Sequence, residues 1–299
     1  MRIVTIEHPA EVHVHDGQLV IEQESGTASV PVEQVELLIT YGPAIRISTM
    51  GQALLAERGV VTLLMGRNHL PQAMVIPMVA NARMARVTAA QAALPADLAD
   101  ELWAAIIRRK IENQARAIEL LGQGDASALW QLAGTVLAGD SLNVEGQAAR
   151  LYFQMLHPGL NRRCDDPFNS VLNYGYAVVR AVLARALVTS GFVPALGIHH
   201  HSQLNAFNLA DDLIEPFRAC VDVIAPSIVS ASAKLDARQR HALRDVLWMR
   251  VLMAGRKVTV SQAVEEVADS LVRAVRDLDC TELRLPTLIS PEFDWEVRD

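Results

Sequence analysis

The hydrophobic pattern of this chain changes once along its length, near residue 78. Up to that point, short runs rich in β-branched residues alternate between apolar and polar positions, which is the period of half-buried strands. Beyond it, apolar residues recur every three or four positions among Ala, Leu, Arg and Glu, as in amphipathic helices. A chain of 299 residues, 51% of them hydrophobic, is long enough to bury two cores. The sequence therefore predicts an α+β fold, with a small N-terminal β-sheet domain followed by a larger all-α C-terminal domain.

Strand and turn signals are clearest in residues 1–78. Asp16 and Gly17 separate two alternating runs, and both residue types accept the positive φ of a tight hairpin turn. One helix is expected over Thr49–Arg58, with Ser48 as its N-cap and Gly59 as its stop. The predicted strands are Arg2–Glu7, Glu11–His15, Gln18–Gln23, Val35–Thr40, Val60–Leu64 and Gln72–Pro77.

The remaining organisation follows from the helical pattern. We expect a β domain over residues 1–78, a linker over 79–86, a helical domain over 87–284 and a C-terminal tail over 285–299. The clearest helix is Phe168–Leu187, because Asp166 and Pro167 supply an N-cap and a first-turn proline and Ser190-Gly191 ends the pattern. The tail is interrupted by prolines, so it is expected to be extended or mobile.

Composition excludes several classes of protein. The three cysteines are far apart and form no CxxC pair, so neither a disulfide framework nor a thiolate zinc site is indicated, and a reducing cytosol fits. No run approaches the roughly 18 apolar residues of a membrane span, and the N-terminus lacks the pattern of a signal peptide. We therefore expect a cytoplasmic protein that contacts no membrane.

The net charge of −7 argues against a protein that is basic all over and coats DNA. One segment differs, since residues 234–257 carry seven basic and two acidic residues, a local excess of five positive charges. A basic segment on an acidic protein can bind phosphates, which makes Arg238, Arg240 and Arg244 candidate DNA contacts. A solvated helix face explains the same pattern equally well.

The least ordinary segment runs from Gly197 to Arg218. Three histidines, His199, His200 and His201, precede a carboxylate-rich stretch in which Asp212 and Glu215 are three residues apart and would share one helix face. Imidazole and carboxylate ligands suit Mg²⁺ or Mn²⁺, with a preference for manganese. The alternative is a polar histidine loop followed by acids that favour a helix N-terminus.

A second candidate carboxylate is Glu145, in the first turn of a predicted helix. Alone it is a weak signal, because compensation of the helix dipole explains a carboxylate at this position. Together with three other segments, however, its surroundings resemble the CRISPR-associated endonuclease family that integrates new spacers, known as Cas one. The four segments are 145–153 (EGQAARLYF), 166–176 (DPFNSVLNYGY), 197–200 (GIHH) and 207–218 (FNLADDLIEPFR). Their order, after a small β domain, is also similar to that family.

The resemblance implies a set of site residues. A divalent ion, Mg²⁺ or Mn²⁺, would be bound by Glu145, His200 and Glu215, where His200 is selected by the Gly-x-x-His form and His199 and His201 stay open. Asp212 matches a further acidic position, beside the ligands or as an alternative ligand. Four residues in the second segment match positions near the site, although a packed helix face explains the tyrosines as well; they are Asn169, Asn173, Tyr174 and Tyr176.

The resemblance also implies an activity and partners. The reaction would be insertion of spacer DNA into a CRISPR array, in which a 3′-hydroxyl attacks a phosphodiester. The implied partners are double-stranded DNA, a second copy bound through the β domain, and a small dimeric adaptation protein for which residues 285–299 are a candidate contact. The amino-acid sequence of residues 207–218 resembles the type II branch of the family. This resemblance implies that an effector nuclease takes part in selecting the DNA fragment to be inserted.

Two functions of other classes compete with this hypothesis. A non-catalytic DNA-binding scaffold would bind DNA and tolerate loss of Glu145 and His200. A metal-dependent phosphohydrolase would turn over small substrates without DNA. A nucleoside triphosphatase is disfavoured, because the chain contains no GxxxxGK[ST] loop.

Overall fold

The computed structural model of the chain describes residues 2–42, 44–66, 71–77, 84–162, 164–232 and 234–294. The described residues divide into two compact units, one up to residue 77 and the other over residues 84–294. The first is built mainly of strands and the second mainly of helices, so the predicted α+β class is confirmed. Residues 79–83 of the expected linker lie outside the described residues, and residues 84–86 begin a helix.

The N-terminal unit contains two four-stranded sheets within its described residues. One has the order β1-β5-β7-β8, with β1, β5 and β7 parallel and β8 antiparallel. The other has the order β4-β3-β2-β6, antiparallel except for the β2–β6 pair. The elements are β1 (Arg2–Ile6), β2 (Ala10–His15), β3 (Gln18–Gln23), β4 (Gly26–Pro31), a 3-10 turn (Val32–Gln34), β5 (Val35–Thr40), β6 (Ile45–Ile47), α1 (Thr49–Glu57), β7 (Val61–Met65) and β8 (Pro71–Val75).

Most of these elements follow from local sequence rules. Asp16 and Gly17 adopt positive φ in the β2–β3 turn, as predicted. Ser48 caps α1, because its hydroxyl accepts the N–H of Gly51. The strand β4 was missed because all six of its residues are exposed or half-buried, so they carry no apolar alternation. Apolar residues of both sheets and α1 share one core, which includes Val12, Leu38 and Leu55.

The C-terminal unit is mainly helical and also contains a short hairpin, β9–β10, that the helical pattern did not predict. In this hairpin, Ala254 and Gly255 form the turn with positive φ. The elements are α2 (Met84–Ala92), α3 (Ala96–Leu121), α4 (Ser127–Gly134), α5 (Val144–Leu156), α6 (Pro167–Thr189), α7 (Asn208–Leu213), α8 (Arg218–Asp222), α9 (Ala225–Ile228), α10 (Ala237–Arg244), β9 (Arg250–Met253), β10 (Arg256–Thr259) and α11 (Val260–Asp277).

Helix α6 is a core helix of this unit. Asp166 caps it by accepting the N–H groups of Phe168 and Asn169, with Pro167 at the first position, as predicted. Contrary to the expectation from sequence, α6 is long and apolar enough to span a membrane by length and composition. However, 72% of its most apolar window is buried inside the protein, as in the core helix of a soluble protein. Its apolarity is thus accounted for by packing.

The long helix α3 fixes two distant parts of the chain. Asn113, buried on α3, donates to the carbonyls of Pro216 (2.7 Å) and Pro286 (3.0 Å) and accepts the N–H of Leu288 (2.9 Å). The turn at 215–217 and the C-terminal segment are therefore held against the same helix. Because each buried polar atom of Asn113 has a partner, the contact is stabilising rather than costly.

The described part of the C-terminal tail is extended, one of the two expected alternatives. Thr287 and Leu252 exchange two backbone hydrogen bonds of 2.9 Å, and the N–H of Asp294 donates to the carbonyl of Trp248 (2.9 Å). Leu288 is buried. Residues 285–294 are thus bound to β9 and α3, whereas residues 295–299 lie outside the described part of the chain.

Candidate active site

The loop before α7 is wrapped around one buried carboxylate. Asp212, fully buried on α7, accepts the backbone N–H groups of Ile198 (2.6 Å), His199 (3.1 Å) and His200 (3.0 Å). Its Oδ1 also lies 2.6 Å from His200 Nδ1. This contact favours the proton on Nδ1, so that in the neutral imidazole Nε2 keeps its lone pair. Asp212 therefore orients the His200 imidazole, and its own oxygens are already engaged.

Gly197 is required by the closeness of this loop. A Cβ at this position would lie 2.2 Å from the carbonyl oxygen of His200 and 2.8 Å from Asp212 Oδ2. No side chain fits at such distances without moving the backbone. The Gly-x-x-His form noted in the sequence thus has a steric cause.

The pKa of His200 is raised. The hydrogen bond to Asp212 is the largest cause; burial opposes it, and the negative charges of Asp212, Glu215 and Asp211 add to the rise.

Glu145 is not needed as a cap of its own helix. The N–H groups of Val144 and Glu145 donate to Asp140 (2.8 and 3.0 Å), and that of Gly146 donates to Asn143 Oδ1 (3.2 Å). The carboxylate of Glu145 instead lies 2.5 Å from Lys110 Nζ. Helix-dipole compensation alone therefore does not explain this carboxylate.

Glu215 is buried and lies in a 3-10 turn, Glu215–Phe217, rather than on α7. Asp212 and Glu215 therefore lie on two consecutive helical segments, which are joined at Ile214 in the right-handed α conformation. Glu215 Oε1 accepts from Arg218 Nε (2.8 Å), and Oε2 lies 2.5 Å from Lys110 Nζ. Burial raises the pKa of Glu215, but the charges of Lys110 and Arg218 outweigh burial and lower it to about 2.

Lys110 joins the two acids. Its ammonium, buried on α3, lies 2.5 Å from Glu145 Oε1 and from Glu215 Oε2, so these two oxygens are at most twice that distance apart. Burial lowers the pKa of Lys110, but the charges of Glu215 and Glu145 outweigh it and the pKa is raised. The sequence analysis missed Lys110. A signal was present, because Lys110 occupies an apolar position of the α3 pattern, between the buried Ile107 and Ile111.

The predicted site residues fall into two groups: Glu145 and Glu215 share one partner, Lys110, and His200 pairs with Asp212. The His200 ring also lies edge-on to Trp103, 5.8 Å between ring centroids. His199 stacks on Trp103 at 4.2 Å. In the described parts of the chain, no group of three or more His, Cys, Asp or Glu side chains is arranged to hold a metal ion. The cation between the two acids is the Lys110 ammonium.

A second buried polar cluster lies beside Arg218. Asp222 accepts the hydroxyls of Tyr152 (2.8 Å) and Tyr176, and burial raises the pKa of Asp222 to about 6 although both hydroxyls oppose the shift. The Arg218 guanidinium lies 4.7 Å from the centroid of the Tyr176 ring. Tyr176 is therefore both packed and linked to Glu215 through Arg218, so the two explanations given for it in the sequence are compatible.

The asparagines of the same segment have structural partners. Asn169 Nδ2 donates to the carbonyls of Asn161 (2.8 Å) and Cys164 (2.9 Å). Arg162 donates to Asn169 and to Asn173 (3.0 Å). Asn169 thus fixes the chain that leads into α6, and Tyr174 is buried in the core.

The basic segment has less free charge than its sequence suggests. Three of its basic residues contact acids from outside it: Arg250 with Asp294 (2.7 Å), Arg256 with Glu266 (3.1 Å) and Lys257 with Glu292 (2.6 Å). On α10, Arg238 is exposed, Arg240 and Arg244 are half-buried, and Arg240 donates to the carbonyl of Leu235 (2.8 Å). Of the three candidate DNA contacts, Arg238 is the most accessible.

Comparison with known proteins shows the same architecture elsewhere. The chain superimposes on a casposase bound to its integration product with a TM-score of 0.78, 19% identity and coverage of 98% of this chain and 96% of that one. It also matches a chain of a Cas6-RT-Cas1–Cas2 complex, with a TM-score of 0.73 and 18% identity, over 95% of this chain and 36% of that one. At these identities the likeness establishes a shared fold.

Sequence comparison gives the family. A family model described as CRISPR associated protein Cas1 matches residues 3–241. The CRISPR-associated endonuclease Cas1 of Neisseria meningitidis serogroup C (strain 8013) is 32% identical over 301 residues, 99% of both chains. The chain belongs to the Cas1 family, as its four motifs predicted.

Proposed function

We propose that this protein is a divalent-metal-dependent DNA endonuclease and integrase that inserts spacer DNA into a CRISPR array. The observation that carries the proposal is the convergence of Glu145 and Glu215, 70 positions apart in sequence, on the buried ammonium of Lys110. The imidazole of His200, the third proposed ligand, is oriented separately by Asp212. Membership of the Cas1 family, and the endonuclease name of the relative from Neisseria meningitidis, support it.

The donor atoms of these three residues are of the types that bind a divalent ion, although the Lys110 ammonium lies between the two acids in this structure. Glu215 Oε2 is a buried oxygen that lies close to Lys110 without hydrogen-bond geometry, so part of its accepting capacity is unused. Glu145 presents a second carboxylate, and the half-exposed His200 ring presents Nε2. Two carboxylates and an imidazole are ligands for Mg²⁺ or Mn²⁺. When bound, the ion would act as a Lewis acid that offsets the charge developing on the scissile phosphate.

Other residues of the site orient these proposed ligands or set their protonation state. Asp212 holds the His200 imidazole in the tautomer that leaves Nε2 unprotonated. Arg218 and Lys110 keep Glu215 ionised at neutral pH, since both lower its pKa. In the proposed reaction a 3′-hydroxyl replaces one phosphodiester oxygen by another, so no nucleoside triphosphate is consumed and the reverse reaction, disintegration of branched DNA, is also expected. Proton transfer is assigned to His201, which is exposed on the loop, or to His199.

The proposed partners follow from the family. They are double-stranded DNA, a second copy bound through residues 1–78, and a small dimeric adaptation protein contacted by residues 285–299. The fold shared with a Cas6-RT-Cas1–Cas2 complex supports such an assembly. We assign the chain to the type II branch, with an effector nuclease as a further partner, because of the amino-acid sequence of residues 207–218. A cytoplasmic location accords with this role.

Residues 234–244 are the proposed contact with the DNA backbone. Exposed Arg238 supplies the most accessible charge there, and Arg240 and Arg244 follow it on the same helix. Contacts of this kind position the duplex and carry no sequence information.

Substitution of single ligands, with a matched control, tests the proposal. Glu145→Gln, His200→Ala and Glu215→Gln should each abolish Mn²⁺-dependent strand transfer and disintegration of branched DNA. Glu265→Gln is the control, because Glu265 is as exposed as Glu145 (32% against 31%) and is paired with Arg185 far along the chain. We expect it to stay active. Full activity of Glu145→Gln would remove Glu145 from the site, and DNA binding without any strand transfer by the native protein would favour a scaffold.

A further inference from the structure

The two acids of the proposed metal site are already bridged by a positive charge of the protein itself. Lys110 Nζ lies 2.5 Å from an oxygen of each, and the whole side chain is buried on α3. With Arg218 beside Glu215, the four groups carry two negative and two positive charges. The site is therefore electrically balanced before any metal arrives.

The Lys110 ammonium occupies the position between these two oxygens, so a second cation cannot bind there at the same time. A divalent ion such as Mg²⁺ binds oxygen ligands at about 2.0–2.1 Å, closer than the ammonium lies now. Two cations cannot share one such position, because water screens their repulsion only weakly in a buried site. Lys110 and a metal ion held by Glu145 and Glu215 thus exclude each other there.

We propose that Lys110 is the resident cation of the metal-free site: it holds Glu145 and Glu215 together until a divalent ion displaces it. The inference rests on the proposed function, since it concerns the ion bound by those two acids. A lysine suits this role better than an arginine, because its compact ammonium on a flexible stem can move aside more easily than a planar guanidinium while the helix stays in place. Lys110 is a positioning residue, which acts through the two carboxylates.

The inference predicts opposite effects on stability and on metal binding. Lys110→Met keeps the length of the side chain and removes its charge, so the two carboxylates lose their shared partner and repel each other. In EDTA the variant should unfold at a lower temperature than the native protein. It should bind Mn²⁺ about tenfold more tightly, a difference that corresponds to about 1.4 kcal/mol, because no ammonium has to be displaced.

A matched control and two readouts separate this role from a structural one. Lys257→Met is the control, because Lys257 also pairs with a glutamate, Glu292 at 2.6 Å, but on the surface. It should leave Mn²⁺ affinity, measured by calorimetry, unchanged. A purely structural Lys110 would lower the unfolding temperature equally in EDTA and in Mn²⁺. Unchanged or weaker Mn²⁺ binding by Lys110→Met overturns the inference.

The outcomes also separate this inference from the proposed function. If the Glu145→Gln variant binds Mn²⁺ as tightly as the native protein does, the proposed metal site is wrong. If Glu145→Gln abolishes binding but Lys110→Met binds as the native protein does, only the role of Lys110 fails.

A second measurement needs no Lys110 variant. The chain has only three lysines, Lys110, Lys234 and Lys257, so ε-¹³C-lysine labelling gives few NMR signals. Lys234→Arg and Lys257→Arg assign the other two by elimination. Saturation with Mg²⁺ should shift the Lys110 signal and leave the other two in place. A Lys110 signal that does not move when Mg²⁺ saturates the site contradicts displacement.

Discussion

Replacement of Asp212 by asparagine perturbs the candidate site at the point where the structure specifies it most tightly. Oδ2 of Asp212 accepts the N–H groups of Ile198 and His199, and Oδ1 accepts the N–H of His200 and faces its Nδ1. An asparagine offers one oxygen and one NH₂ group. In one orientation the NH₂ group meets the N–H groups of Ile198 and His199, and in the other it meets the N–H of His200 and displaces the oxygen that faces its Nδ1.

The cost follows from those two lost hydrogen bonds. Hydrogen bonds to a charged acceptor contribute about 1.5–3 kcal/mol each, so Asp212→Asn should lower the free energy of unfolding by about 3–6 kcal/mol. Domains of this kind are stable by only about 5–15 kcal/mol in total, which makes the effect large. The His200 ring also loses the partner that fixes its tautomer, so strand transfer should fall together with stability.

Urea unfolding followed by circular dichroism measures the effect, with Asp211→Asn as the control. Asp211 neighbours Asp212 but accepts from the side chains of Arg180 (2.8 Å) and Asn205 (2.6 Å) and is partly exposed. We expect the control to lose about 1 kcal/mol. A loss below about 1 kcal/mol for Asp212→Asn itself would refute the claim that its carboxylate organises the loop.

Two other predictions concern charge. The pKa of Glu215 is lowered from 4.5 to about 2, so its ion pairs stabilise the fold fully above pH 4.5, and this contribution is lost as the pH falls through that range. The native protein should therefore exceed Glu215→Gln in unfolding free energy at pH 7, with a smaller difference at pH 3; an equal difference at both would contradict the assigned pKa. Changing Arg238, Arg240 and Arg244 to Glu should weaken duplex DNA binding at least about tenfold and flatten its salt dependence, while unchanged affinity would reject this surface.

The elements that were predictable from sequence are those specified by neighbouring residues. The β2–β3 turn at Asp16-Gly17, the Ser48 cap of α1 and the Asp166-Pro167 start of α6 each rest on contacts within a few positions. The strand β4 and the β9–β10 hairpin were missed because they are stabilised by pairing rather than by an apolar pattern of their own.

The site was predictable only in part, for the same reason. Its candidate residues were proposed from motifs, but the bridge from Lys110 to Glu145 and Glu215 spans 35 and 105 positions and is a product of tertiary packing. The sequence pattern also predicted one helix for Asp212 and Glu215, whereas Glu215 lies in the 3-10 turn that follows α7. The engagement of Asp212 with three backbone N–H groups was likewise not visible in the sequence.

The most direct measurement is anomalous scattering from a crystal of the native protein soaked in Mn²⁺. We expect one peak at about 2–2.3 Å from carboxylate oxygens of Glu145 and Glu215 and from His200 Nε2. The Lys110 ammonium should have moved from its position between the two acids. A crystal saturated with Mn²⁺ that shows no peak there, or a peak bound by other residues, would contradict the account.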